Sequence, residues 1–213
     1  RFKPGMNKYS GSQGPSDWVE PRYAKAAGDA ANVPWALMTV TPYLQNWLQT
    51  ANPNGRSAAV VGCGLGDDAE ALAQAGFAVT AFDISPTAIK WAQTRFPDSA
   101  VTYCVADLFQ LPQHWYRAFD VVFEFRTIQA LPLDVRQKAI EKIASLVAQG
   151  GTLLVTTYLR PEPDTNPDGP PWPLTMAELS QLETLGLTLI KQQTFTKRAS
   201  RFCQRVQLEY CFA

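Results

Sequence analysis

From Ser57 to the C-terminus the chain alternates short apolar runs with amphipathic stretches, and few folds accept that rhythm. Residues 58–61, 77–82, 101–105, 119–123 and 152–158 read as strands. Between them, residues 68–74, 85–95 and 133–148 read as helices, the first closed by Gly76 and the last stopped by Gly150-Gly151. Strands that are apolar on both faces and joined through helices require a parallel sheet covered on both sides, with right-handed crossovers. Thr175 and Glu178 have the spacing of a capping box that opens a helix to about Leu185. Two late runs, 187–195 and 202–212, have no helix between them. In the second, Val206, Leu208, Tyr210 and Phe212 alternate with Gln207 and Glu209, which marks an antiparallel pair at a sheet edge.

Ahead of this region, residues 34–48 read as the first firm helix, bent or divided at Pro42. With 213 residues there is room for one domain spanning 1–213, in which 1–33 form an N-terminal segment serving as a lid and 34–213 form the core. Nineteen basic and nineteen acidic side chains cancel, which removes any general attraction to nucleic acid or anionic lipid. The cluster Lys197, Arg198, Arg201 and Arg205 reads as a solvated turn between two strands. No run approaches the roughly 18 apolar residues that a membrane helix needs. Four scattered cysteines and a single histidine, His114, leave almost no ligands for a metal, and with no signal core they fit a reduced, cytoplasmic protein.

Gly62-Cys63-Gly64-Leu65-Gly66 follows the first strand and precedes a helix, the context in which a glycine turn becomes a candidate nucleotide site. Glycines allow the sharp turn and the close approach of a ligand. By themselves they leave the ligand ambiguous. A dinucleotide fingerprint requires G-x-G-x-x-G, whereas Gly66 is followed by Asp67 and Asp68. Two carboxylates suit the helix dipole but repel a pyrophosphate seeking the same N–H groups. S-adenosyl-L-methionine, with a cationic amino group, a sulfonium and no phosphate, fits better. Asp83 ends the second strand about twenty residues on, where a carboxylate can accept hydrogen bonds from ribose hydroxyls. Asp107 ends the third strand between Ala106 and Leu108, either facing an adenine amino group or capping the next turn.

These segments, VVGCGLG (60–66), FDIS (82–85), ADL (106–108), FDVVFE (119–124) and GGTLLV (150–155), resemble the class I S-adenosylmethionine-dependent methyltransferases. In tone the chain is similar to their small-molecule branch of thiopurine, thiol and halide methyltransferase-like proteins. The resemblance implies a three-layer, doubly wound α/β fold with a seven-stranded sheet of order 3-2-1-4-5-7-6 and strand 7 antiparallel. It implies cofactor contacts from Gly62, Cys63, Gly64, Gly66, Asp67, Asp68, Asp83, Ile84, Ala106, Asp107, Leu108 and Glu124, with Trp35 of the upstream Pro34-Trp35 near the cofactor. One departure is Val60, which stands where the family often has an acidic residue; Asp67 or Asp68 is expected to supply the missing charge.

Methyl transfer from a sulfonium is an in-line displacement that alignment in a dry pocket can drive. Glu124, ending the fourth strand, is the candidate base or orienter, with the plainer role of bracing the following loop left open. Residues 124–131 should floor the acceptor side, and they lack the Asn/Asp-Pro-Pro-aromatic tetrad of enzymes methylating amino groups of DNA bases or protein glutamine. A small-molecule acceptor is expected. The long proline-rich stretch 160–173 reads as a loop over the site. Trp18, Tyr23, Arg126, Tyr158, Arg160 and Trp172 are its candidate acceptor contacts, and His114 is expected away from the pocket. The competing reading is a catalytically silent S-adenosylmethionine-binding sensor or partner subunit, with a nicotinamide-dependent oxidoreductase further behind.

Overall fold

The computed structural model describes residues 14–161, 169–196 and 204–213. Its strands are β1 (Ser57–Val61), β2 (Ala78–Asp83), β3 (Thr102–Val105), β4 (Phe119–Phe125), β5 (Val147–Leu159), β6 (Leu187–Thr196) and β7 (Gln204–Phe212). They form one sheet of order β3-β2-β1-β4-β5-β7-β6, parallel except for β7, which runs antiparallel to both β5 and β6. The order is the one the resemblance implied. The helices are α1 (Val19–Ala26), α2 (Pro42–Leu48), α3 (Asp67–Gln74), α4 (Pro86–Arg95), α5 (Leu133–Ala144) and α6 (Met176–Thr184).

The pleat divides the core between two layers, because successive side chains of a strand point to opposite faces. On β1, Ala58 and Val60 pack with Leu44, Leu72 and Val79 beneath α2 and α3. Ala59 and Val61 pack with Ile140, Ile143 and Leu179 beneath α5 and α6. A smaller apolar cluster, Tyr23, Ala26, Val33, Leu65 and Ala88, seats α1 against α4.

Three expectations need correction. The helix read over residues 34–48 begins only at Pro42, with Thr41 extended before it, as the residue preceding a proline prefers. Residues 34–40 take irregular backbone that includes Met38 at φ +56°. Second, the N-terminal segment, for which no helix is expected before residue 34, contains α1, whose buried face is only Tyr23 and Ala26. Third, α5 stops at Ala144, and Gly150-Gly151 lie within β5 rather than ahead of it. There the pairing to β4 jumps from Phe119–Val147 to Val121–Thr152. A Cβ at Gly151 would come within 2.7 Å of the Ala148 carbonyl oxygen, so the excursion needs glycine.

The capping box at α6 forms as expected, Thr175 and Glu178 exchanging side-chain and backbone bonds. Residues 1–13, residues 162–168 of the proline-rich loop, and residues 197–203, with most of the basic cluster and the start expected for the last strand, lie outside the described residues. Among the described residues no helix is long and apolar enough to cross a membrane.

Candidate functional site

At the carboxyl ends of β1, β2 and β4 lies a cavity of about 500 Å3, within the range of about 300–1,000 Å3 typical of small-molecule sites. One end is the glycine turn. β1 runs straight into Gly62, Gly64 and Gly66, all at positive φ, and Gly66 caps α3. A Cβ at Gly62 would collide with Thr127 and one at Gly66 with the Tyr103 hydroxyl, so the turn packs tightly from behind while its front faces the cavity.

The two carboxylates after the turn have different partners. Asp67 takes both guanidinium nitrogens of Arg95 at 2.8 Å, and Arg95 also donates to the Leu65 carbonyl at 2.6 Å. Its charge is thereby compensated. Asp68 accepts from Thr41 N at 2.8 Å through one oxygen, and burial pushes its carboxyl up to about 6 against the pull of Thr41. Of the pair expected to replace the acid missing at Val60, Asp68 is the one with a carboxylate oxygen left for a ligand.

Asp83 lines the cavity beside the turn and accepts from Gly64 N and Ser85 N, each at 3.0 Å. Burial raises its carboxyl above the ordinary range, against the pull of those N–H groups. Each of its oxygens keeps a lone pair for a further donor. Cys63, Ile84, Ala106 and Leu108 also line the cavity. Asp107 does not: its carboxylate accepts from Phe109 N at 2.8 Å and caps the 3₁₀ turn Leu108–Gln110, the plainer of its two expected roles.

Of the two roles open to Glu124, its surroundings match the brace. It is fully buried and off the cavity wall, with one oxygen accepting from Thr127 N and Ile128 N. Burial pushes its carboxyl up to about 7, against the pull of the Ile128, Thr127 and Thr156 N–H groups. This is the bond pattern of a brace for the loop that follows β4. On the wall stand its neighbours Phe123 and Phe125, which share the opposite face of the strand.

The roof comes from the N-terminal segment. Trp35 packs edge-on to Trp18 and Tyr23, with ring centroids 5.6 Å apart in both pairs, and donates to the Tyr23 hydroxyl at 2.7 Å. All three line the cavity. α1 is tied to the core by Glu20, whose carboxylate accepts from the Ser85 and Thr87 hydroxyls and from Thr87 N, at the start of α4.

The far end is formed by Arg126, Gln129, Tyr158 and Pro170, with Phe125 along the wall. Arg126 sits at φ +65°, backbone that non-glycine residues rarely adopt, and its guanidinium lies 4.3 Å from the Phe125 ring centroid and 5.6 Å from that of Tyr158. Burial lowers its pKa, the nearby Tyr158 and Asp68 opposing. Arg160 and Trp172, expected here, are off the wall and fasten the loop instead. Arg160 donates to the Pro173 carbonyl at 2.9 Å, and Trp172 N donates to the Gln129 carbonyl at 2.7 Å. His114 does not line this cavity. Sequence reasoning missed Thr41, which carries no visible signal; Phe125 and Gln129 fall within residues 124–131, expected to floor the acceptor side, though neither is singled out there.

A profile of the thiopurine S-methyltransferase family matches residues 28–208. An uncharacterized methyltransferase of Mycobacterium tuberculosis is 36% identical over 103 residues, 47% of this chain and 50% of that protein. Thus the chain spans about half the length of the curated relatives it matches first. The thiopurine S-methyltransferase of Vibrio parahaemolyticus is 25% identical over 163 residues, 68% of this chain and 73% of that protein. Among solved structures, magnesium protoporphyrin IX methyltransferase from Synechocystis PCC 6803, with bound SAM, has the same fold. Its TM-score is 0.70 at 19% identity, over 95% of this chain and 99% of that one. With the strand order, the glycine turn and a profile running through nearly all of the α/β core, the chain belongs to the thiopurine S-methyltransferase family of class I S-adenosylmethionine-dependent methyltransferases.

Proposed function

We propose that this chain binds S-adenosylmethionine over the turn Gly62–Gly66 and transfers its methyl group to a small-molecule acceptor lodged against Arg126 and Tyr158. One observation carries the reading: a single cavity joins the glycine turn and Asp83 to an aromatic, cationic far end. The residues fit the cofactor. Asp83 has lone pairs for ribose hydroxyls, Asp68 has an oxygen for the amino group, and Asp67, neutralised by Arg95, leaves the turn less repellent than its sequence suggests.

When bound, the cofactor supplies a methyl group on a positively charged sulfur, which the acceptor displaces as the carbon–sulfur bond breaks and S-adenosylhomocysteine is left. The protein aligns the two reactants and excludes water beneath the Trp18, Tyr23 and Trp35 roof. With Glu124 off the wall and Asp68, the carboxylate near Arg126, engaged by the cofactor's amino group, the described lining residues leave no carboxylate or imidazole free at the acceptor end. That favours acceptors needing no protein base, a thiolate or halide over a phenol or amine.

Calorimetry with S-adenosylmethionine, S-adenosylhomocysteine and NAD tests the cofactor half, and stabilisation by NAD alone would sink it. Product formation across thiol, halide, phenol and amine acceptors tests the transfer, and silence with all four would leave a binding protein. Asp68 adds a pH signature. Its carboxyl ionises only above about 6, so affinity for S-adenosylmethionine is expected to weaken severalfold as pH falls from 7.5 to 5.5. In Asp68→Asn that dependence should flatten at the weaker value; parallel pH profiles would assign the amino end to another group.

A further inference from the structure

Gln129 is 4% exposed, yet it lines the cavity. Its side-chain oxygen accepts from Tyr158 N at 2.7 Å and from the Thr157 hydroxyl at 3.0 Å. A backbone N–H can only donate, so the atom facing it must be the amide oxygen, and the orientation of the amide is fixed. The amide nitrogen therefore points the other way, with no hydrogen-bond partner among the described residues, and the space left to it is the cavity. Open to the cavity, that N–H is a donor that a ligand's lone pair can meet.

Three residues earlier, Arg126 lines the same end of the cavity; its Nε has no hydrogen-bond partner among the described residues, and the Asp68 carboxylate acts on its charge without a direct ion pair. The Phe125 and Tyr158 rings face the cation but offer it no hydrogen-bond acceptor in their planes. A planar cation beside a neutral N–H donor, flanked by aromatic rings, is complementary to a planar anion with two accepting oxygens. We infer that Gln129 is a specificity-determining residue whose amide nitrogen, beside the Arg126 guanidinium, selects acceptors that carry a carboxylate on an aromatic ring. The inference rests on reading this end of the cavity as the acceptor site.

The test measures binding, so it does not depend on turnover. The chain is saturated with S-adenosylhomocysteine and titrated by calorimetry with an aryl thiol, a phenol and an aniline, each with and without a ring carboxylate. At least one carboxylated member should bind at least tenfold tighter than its partner. Gln129→Glu keeps an oxygen for Tyr158 N and the Thr157 hydroxyl but replaces the cavity-facing donor with an acceptor. It should erase that preference, the carboxylated member losing at least tenfold more affinity than its uncharged partner. No carboxylate preference in the native chain, or an equal loss for both members in Gln129→Glu, would overturn the inference while leaving methyl transfer intact. Failure of the native chain to bind S-adenosylhomocysteine would overturn both. The native preference is read without any variant, so a Gln129→Glu chain that fails to fold leaves the test standing.

Discussion

Asp83→Ala is expected to weaken S-adenosylhomocysteine binding by at least about a hundredfold, equivalent to about 2.7 kcal/mol. The carboxylate holds Gly64 N and Ser85 N at 3.0 Å, so its removal strips the buried Ser85 N–H of its acceptor, at about 1–3 kcal/mol, and with the part-buried Gly64 N–H also released frees the turn to relax. It also removes the acceptor proposed for the ribose hydroxyls. The two losses can be told apart. Asp83→Asn keeps one oxygen for the backbone and should retain more of the melting temperature than of the affinity. A loss of affinity under threefold in Asp83→Ala would remove Asp83 from the cofactor site.

Glu124→Gln should change stability far more than chemistry, which is the reverse of what a catalytic base would do. Burial raises the Glu124 carboxyl from the ordinary 4.5 to about 7. Its folded-state value lies above its unfolded one, so the stability it contributes is complete below about pH 4.5 and is lost as pH rises through about 7. The loss is about 3 kcal/mol at full ionisation. Glutamine keeps an oxygen for Thr127 N and Ile128 N and does not titrate. Between pH 4.5 and pH 8 the variant should therefore gain about 3 kcal/mol on the native chain in urea denaturation. Asp68 and Asp83 titrate in both proteins and cancel. Parallel stability profiles would contradict the burial of the charge, and a thousandfold loss of activity in a folded variant would return Glu124 to the chemistry.

The reason both roles of Glu124 stay open in the sequence lies in β4. Phe119, Val121, Val122 and Phe123 are all buried, so the strand is apolar on both faces and its pattern does not say which face meets the cavity. Asp83 presented no such difficulty, since the end of β2 meets the glycine turn by topology alone. The strands are legible because each apolar run is long enough to be a strand and each stretch between parallel strands amphipathic enough to cover it; their order in the sheet is what the resemblance implies. α1 was not, because an apolar face of Tyr23 and Ala26 is too narrow to register as a period. What secures that helix is Glu20, bonded 65 residues away in sequence, and no local pattern announces a tertiary bond. The loss of residues 34–41 from the expected helix follows from Pro42, which suits a helix start better than a helix interior.

Ser85 belongs to two assemblies. Its N–H holds the Asp83 carboxylate, and its hydroxyl is held by Glu20 under the roof. Its hydroxyl oxygen also caps α4 at Ala88 N. A displacement that lifts α1 off the cavity thus pulls on the residue that anchors the acidic side of the glycine turn. On the proposed reading of the cavity, lifting the roof and loosening the grip on the nucleoside would be one movement read at two places, so that the used cofactor would leave when its way out is clear.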